Sequence, residues 1–171
     1  MGVDFAINLL LTDPQQRTIY SDVIASIIDL LASAALFIAA KQTASHSKRR
    51  AIAWGMIALA TLAYTMGDIA WAILELGLHE QPFPSIADVF YLAYYPLLLT
   101  GVFLLPEKPA TYGDQVKKVL DIGIVMVAAI LGFWNFLIGP VVSSNFASPP
   151  LEQAILLAYP VGDLVLLWAL L

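Results

Sequence analysis

Five long apolar stretches, separated by short polar segments that hold nearly all of the lysine and arginine and most of the proline, decide what this chain can fold into. They run from Tyr20 to Ala40, Ala51 to Leu76, Val89 to Leu105, Val119 to Val142 and Ala154 to Leu171. A helix needs about 20 mostly apolar residues to cross a bilayer. With 60% of its 171 residues hydrophobic and 12% charged, the chain has too little polar surface to wrap one soluble core. The expected fold is an all-α integral membrane protein, a bundle of five transmembrane helices over residues 20–171. An outer-side segment, residues 1–19, precedes it. There Val3, Ile7, Leu10 and Leu11 share one helical face, which predicts a short helix lying in the interface. The same residues lack the basic start of a signal peptide.

Topology follows from where the cations fall. Lys41, Lys48, Arg49 and Arg50 lie in one loop and Lys108, Lys117 and Lys118 in another, so seven of the eight basic residues occupy alternate loops. The intervening loops "GLHEQPFPSIAD" and "SSNFASPPLEQ" have none. By the positive-inside rule, loops 41–50 and 107–118 are cytoplasmic, the N-terminus is outside and the fifth helix runs inward. These loops are short and orient the chain, so no nucleic-acid role is expected. The chain stops at "LLWALL" inside an apolar run, which leads us to expect a continuation into the cytoplasm.

Acidic residues inside the spans are the sharpest functional clue. At about 1.5 Å per residue, Asp29, Asp68 and Asp163 each sit roughly 12–14 Å below the outer end of their helix, with Asn135 and Pro96 near the same level. A charged aspartate facing lipid at that depth costs about 2.5–3.5 kcal/mol or more. They must therefore face the bundle or a wet cavity. No span holds a basic side chain to neutralise them, so they are protonated and hydrogen-bonded, or they hold something positive or hydrogen-bonding from outside. Packing is the competing reading, because polar side chains also bind helices together, and Gly67 and Gly162, each just before an aspartate, permit close approach. Asp121, beside Lys117 and Lys118, reads as a solvated interfacial residue.

In the second helix Tyr64, Asp68, Trp71 and Glu75 follow i, i+4, i+7, i+11, a stripe of two aromatics and two acids on one face. Such a stripe facing a cavity can bind a cation or an amphipathic ligand; Trp71 and Glu75 also fit the outer aromatic belt and headgroup zone. Pro96 in "LAYYPLLL" and Pro160 in "LAYPVGDL" are expected to kink their helices and free a carbonyl one turn earlier. The two proline segments resemble each other, with Tyr95 and Tyr159 each preceding the proline, which points to a weak internal repeat. Since both helices run inward, that repeat is parallel, unlike the inverted design of many transporters. The candidate ligand-contacting set is therefore Asp29, Tyr64, Asp68, Trp71, Tyr95, Asn135, Tyr159 and Asp163.

"GDIAW", then "PFPSIADVFYLAYYPLLLTGVFLLP" and later "AYPVGDLVLL" resemble the multi-helix membrane input region at the N-terminus of many bacterial GGDEF and EAL proteins and of some sensor histidine kinases. The likeness covers roughly residues 55 to 171, and Gly67, Asp68, Trp71, Pro84, Ser85, Asp88, Tyr95, Pro96, Tyr159, Pro160, Gly162 and Asp163 carry it. It implies a sensory or regulatory domain in the bacterial inner (plasma) membrane with a cytoplasmic output domain. It names no ligand, and no output domain is present in these residues.

A metal site at the outer mouth, using His79, Glu80 and Asp88, has no paired-histidine spacing behind it. Pro82 and Pro84 read as a rigid turn, with Ser85 or Asp88 capping the third helix. His46, the other histidine, lies in a basic loop, so haem is not expected. The absence of cysteine removes thiolate chemistry and disulfides, and no nucleophile set or phosphate loop is legible, so this segment is not expected to be an enzyme. Three functions are consistent with the residues: a sensory input domain binding a small ligand or proton, a small integral subunit of an energy-transducing or photosynthetic complex, and a proton or cation carrier using Asp68 and Asp163. No cofactor is identified. The lipid bilayer is the expected partner, and a homodimer or larger membrane complex stays open.

Overall fold

The computed structural model describes residues 14–78, 83–105, 112–139 and 149–171. The described chain is helical: α1 Pro14–Ala44, α2 Lys48–Leu78, α3 Ile86–Leu104, α4 Tyr112–Phe133 continued by a π-helical turn Trp134–Ile138, and α5 Pro150–Leu170. All five are long and apolar enough to cross a membrane. The expected interfacial helix around Val3 to Leu11 lies outside the described residues.

Each helix is longer than its apolar stretch, for local reasons. Lysine, glutamine and arginine are good helix formers, so α1 and α2 grow into the basic loop until only residues 45–47 turn the chain. Ser47 ends the turn, its backbone carbonyl accepting from Ala51 N at 3.0 Å. α3 starts at Ile86, three residues before the expected Val89, because Ser85 and Asp88 form a capping box. Ser85 Oγ accepts from Ala87 N at 3.2 Å and Asp88 Oδ2 accepts from Ser85 N at 2.7 Å, which satisfies two of the donors a helix start leaves open. α5 starts with Pro150 in its first turn, where the missing N–H costs nothing. α3 and α5 continue as helix through Pro96 and Pro160.

The packing is a row rather than a ring. α2 packs along both α1 and α3, α3 makes a thinner contact with α5, and α4 packs on α5. Small residues set the close approaches, as in helix pairs that lack a hydrophobic driving force. Ala53, Ala58 and Ala60 are fully buried, and a Cβ on Gly101 of α3 would lie 2.6 Å from Ile57 Cγ1 and 3.1 Å from the Ala53 carbonyl oxygen. Between α1 and α2, Ser33 Oγ donates to the Ala58 carbonyl at 3.1 Å. Ser33→Ala is expected to lower stability by about 1 kcal/mol, read as a shift of the unfolding midpoint in detergent titrated with dodecyl sulfate. At one end of the bundle Arg49 Nε donates to the Leu104 carbonyl at 3.0 Å, tying the start of α2 to the end of α3 and satisfying a carbonyl left open there. The opposite end is the one that holds Ser85. None of the described residues Gln115–Phe136 of α4 and its π turn is buried, and large apolar side chains such as Leu31, Ile73, Val119 and Ile124 are exposed.

Candidate functional site

Two glycine–aspartate pairs and two tyrosines one helical turn apart organise the centre of the molecule. Gly67 and Asp68 are on α2, Gly162 and Asp163 on α5, and Tyr91 and Tyr95 on α3 between them. The absence of a side chain at Gly67 lets the Tyr91 ring lie against α2. A Cβ there would come within 2.6 Å of a ring carbon. From that seat Tyr91 Oη donates to Asp68 Oδ1 at 2.8 Å. The pattern repeats on the other side: a Cβ on Gly162 would lie 2.6 Å from the Tyr95 ring, and Tyr95 Oη donates to Asp163 Oδ1 at 2.8 Å. α5 answers with its own tyrosine. Tyr159 Oη donates to Asp88 Oδ1 at 2.5 Å, while Tyr95 Oη also approaches the Tyr159 carbonyl at 3.4 Å. The tyrosines preceding Pro96 and Pro160 thus each reach across to the other's helix.

These pairs border a cavity of about 650 Å³. α2 supplies Tyr64 and Trp71 to its wall, α3 supplies Asp88, Tyr91, Tyr94 and Tyr95, α5 supplies Tyr159 and Asp163, and Phe83 closes the Ser85 end. The rings support one another: Tyr64 lies 5.2 Å from Tyr91 and 5.5 Å from Tyr94, and Tyr94 lies 5.6 Å from Tyr95, the last two edge-to-face. Edge-to-face geometry is the favoured arrangement for aromatic pairs. Trp71 Nε1 donates to Glu75 Oε2 at 3.0 Å, so the last two members of the predicted α2 stripe work together, the acid fixing the indole. Among the described residues no lysine, arginine or histidine lines the cavity.

Of the eight residues expected to contact a ligand, Tyr64, Trp71, Tyr95, Tyr159 and Asp163 line this cavity, and Asp68 stands behind it, bonded to Tyr91. Asp29 borders a smaller neighbouring cavity of about 190 Å³ with Thr61, Tyr64 and Tyr94, so the Tyr64–Tyr94 ring pair is the partition between the two. Asn135 does not join them. It is exposed on α4, and its Nδ2 donates to the Leu131 carbonyl at 2.8 Å, one turn back on its own helix. Depth alone put it in the layer, and the direction in which it points takes it out. Pro160 is buried in α5, whereas Pro96 is exposed on α3, and each lies inside its helix. His79 and Glu80 lie outside the described residues.

Four residues of the wall went unnoticed as ligand contacts, Phe83 among them. Asp88, read only as a cap or a metal ligand, is 3% exposed and accepts at both carboxylate oxygens, from Ser85 N and from Tyr159. Tyr91 and Tyr94 were overlooked, although Asp88, Tyr91 and Tyr95 follow i, i+3, i+7, a single helical stripe. That spacing, set beside the two glycine–aspartate pairs, was the available signal.

Comparisons with protein-family models, with curated proteins and with solved structures give no match.

Proposed function

We propose that the chain is a membrane-embedded sensory input module that receives a small ligand or proton in the cavity between α2, α3 and α5 and passes the change through α5 to a cytoplasmic output. The observation that carries this reading is the composition of the cavity wall. Its α3–α5 contact is made of Tyr95–Asp163 and Tyr159–Asp88, bonds whose members also line the cavity. A guest that competes for either carboxylate changes how α5 sits on α3, and differential affinity for two arrangements is all that a switch requires. In this reading the unburied apolar faces meet lipid in a bacterial plasma membrane, the Arg49 end is cytoplasmic by the charge rule, and the cavity lies in the outer half.

The chain has no native cysteine, so spin labels can be placed at Leu105→Cys on the exit of α3 and Leu170→Cys on the end of α5 without background. In lipid nanodiscs the distance between them is expected to change during an acid–base titration or on adding one of a panel of small amines, carboxylates and neutral solutes. The change is expected to be lost in Asp163→Asn and reduced in Asp68→Asn, both of which should still insert. A distance that stays constant under every condition in the unsubstituted chain overturns the sensory reading.

A further inference from the structure

We infer that the guest of this cavity is an organic monocation of the alkylated or quaternary ammonium kind. The inference rests on the ligand-binding reading above and adds to it the chemistry of the ligand. Three observations lead to it. The first is the direction of the hydrogen bonds. Tyr91, Tyr95 and Tyr159 have each committed their single hydroxyl proton to an aspartate, and Trp71 has committed its N–H to Glu75. A phenol with its proton engaged presents only lone pairs, so what these side chains still offer a guest is acceptor oxygens and aromatic faces. Among the described residues of the wall, only the Tyr64 and Tyr94 hydroxyls are left to donate, and neither carries the charge that an anionic ligand would need.

The second observation is charge. Asp88 and Asp163 are at the wall, and no cationic side chain lines the cavity among the described residues. Arg49 is engaged with the far end of α3. The third is size and surface. A cavity of about 650 Å³ lies within the usual range for small organic ligands. Among the described residues no three His, Cys, Asp or Glu side chains converge as a metal would need; hard cations require six or more oxygen ligands at short range. Contiguous aromatic faces next to isolated carboxylates suit a diffuse, weakly hydrated charge, which ring quadrupoles attract and which Trp71 and the tyrosines can surround.

The test uses the full chain in phosphatidylglycerol nanodiscs and titration calorimetry with choline against 3,3-dimethylbutan-1-ol, which replaces the charged nitrogen by carbon at constant shape. Choline is expected to bind saturably and at least about tenfold more tightly than the neutral alcohol, the margin a desolvated cation–aromatic site provides. Tyr94→Phe, which keeps the ring, is expected to retain the affinity, and Tyr94→Leu to lower it about fivefold or more; because Tyr94 makes no interhelical aspartate bond, this pair remains informative if Trp71→Leu or Asp163→Asn misfolds. Discs made with phosphatidylcholine distinguish a soluble cation from a lipid headgroup: unchanged choline binding favours the first, competition the second, and both support the ammonium chemistry. Equal affinity for choline and the neutral alcohol, absence of choline binding, or insensitivity to Tyr94→Leu overturns the inference. Choline binding without any movement of the Leu105→Cys and Leu170→Cys labels overturns the sensory reading and leaves this one standing, and movement caused by a neutral or anionic solute alone does the reverse.

Discussion

Asp88→Ala is expected to be the most destabilising single substitution in the polar layer, lowering the unfolding free energy by about 2.5–4 kcal/mol. Two losses add. Removing a helix cap costs about 1 kcal/mol, and a buried hydrogen bond to a charged acceptor is worth about 1.5–3 kcal/mol. Asp88 supplies both, through Oδ2 to Ser85 N and Oδ1 to Tyr159. The native side chain is buried, at 3% exposure. Asp88→Asn should cost less than alanine, because the amide oxygen can still accept from one of them while its NH₂ opposes the other donor. Tyr159→Phe removes the interhelical bond and spares the cap, so the double variant Asp88→Ala/Tyr159→Phe is expected to lose less than the two single losses together. Dodecyl sulfate titration in mixed micelles measures all three; a loss for Asp88→Ala within about 0.5 kcal/mol, the range of ordinary surface changes, would show that the bond and the cap are not both made.

A similar loss is expected from adding a single methyl group at Gly67 or Gly162. Overpacking a close contact costs about 1–3 kcal/mol. Here the clash also lifts the tyrosine ring from its seat and with it the hydroxyl from Asp68 or Asp163, so Gly67→Ala and Gly162→Ala should each cost about 2–4 kcal/mol. Gly123 and Gly132 of α4 are the controls, since a Cβ at either meets nothing within 4 Å. There alanine is expected to be neutral or stabilising by up to about 1 kcal/mol, as helix propensity dictates. Tyr91→Phe separates the two parts of the effect, keeping the ring and losing about 1–2 kcal/mol with the hydrogen bond. If Gly67→Ala and Gly123→Ala shift the unfolding midpoint equally, the tyrosine is not seated on the glycine.

What the sequence disclosed and what it hid divide along a physical line. Hydropathy is a property of position along the chain, and it located the starts of α2, α3 and α5 to within four residues, whereas α1 begins six and α4 seven residues before its apolar stretch. The departures came where polar helix formers carried a helix past its apolar stretch, as at Ala44 and Lys48. Depth along a helix was equally legible, which is why Asp68 and Asp163 were found. Azimuth was legible only on helices with an internal stripe: Tyr64, Asp68, Trp71 and Glu75 declared their face together, whereas Asn135 had no companions on α4 and was misplaced. Tyr91 was hidden because its partner is 23 residues away, and a lone tyrosine in an apolar helix reads as packing. Asp88 was hidden by having an adequate local explanation, the helix cap, which masked its second bond to α5.

The row-like arrangement of helices has a mechanical result. α1 and α3 flank α2 in close packing, α5 meets α3 across a narrower seam, where Phe103 and Trp168 touch edge-to-face at 6.2 Å in addition to the tyrosine–aspartate bonds, and α4 touches α5 more sparsely still. The cavity straddles that seam, so its width is set by the angle at which α5 lies on α3.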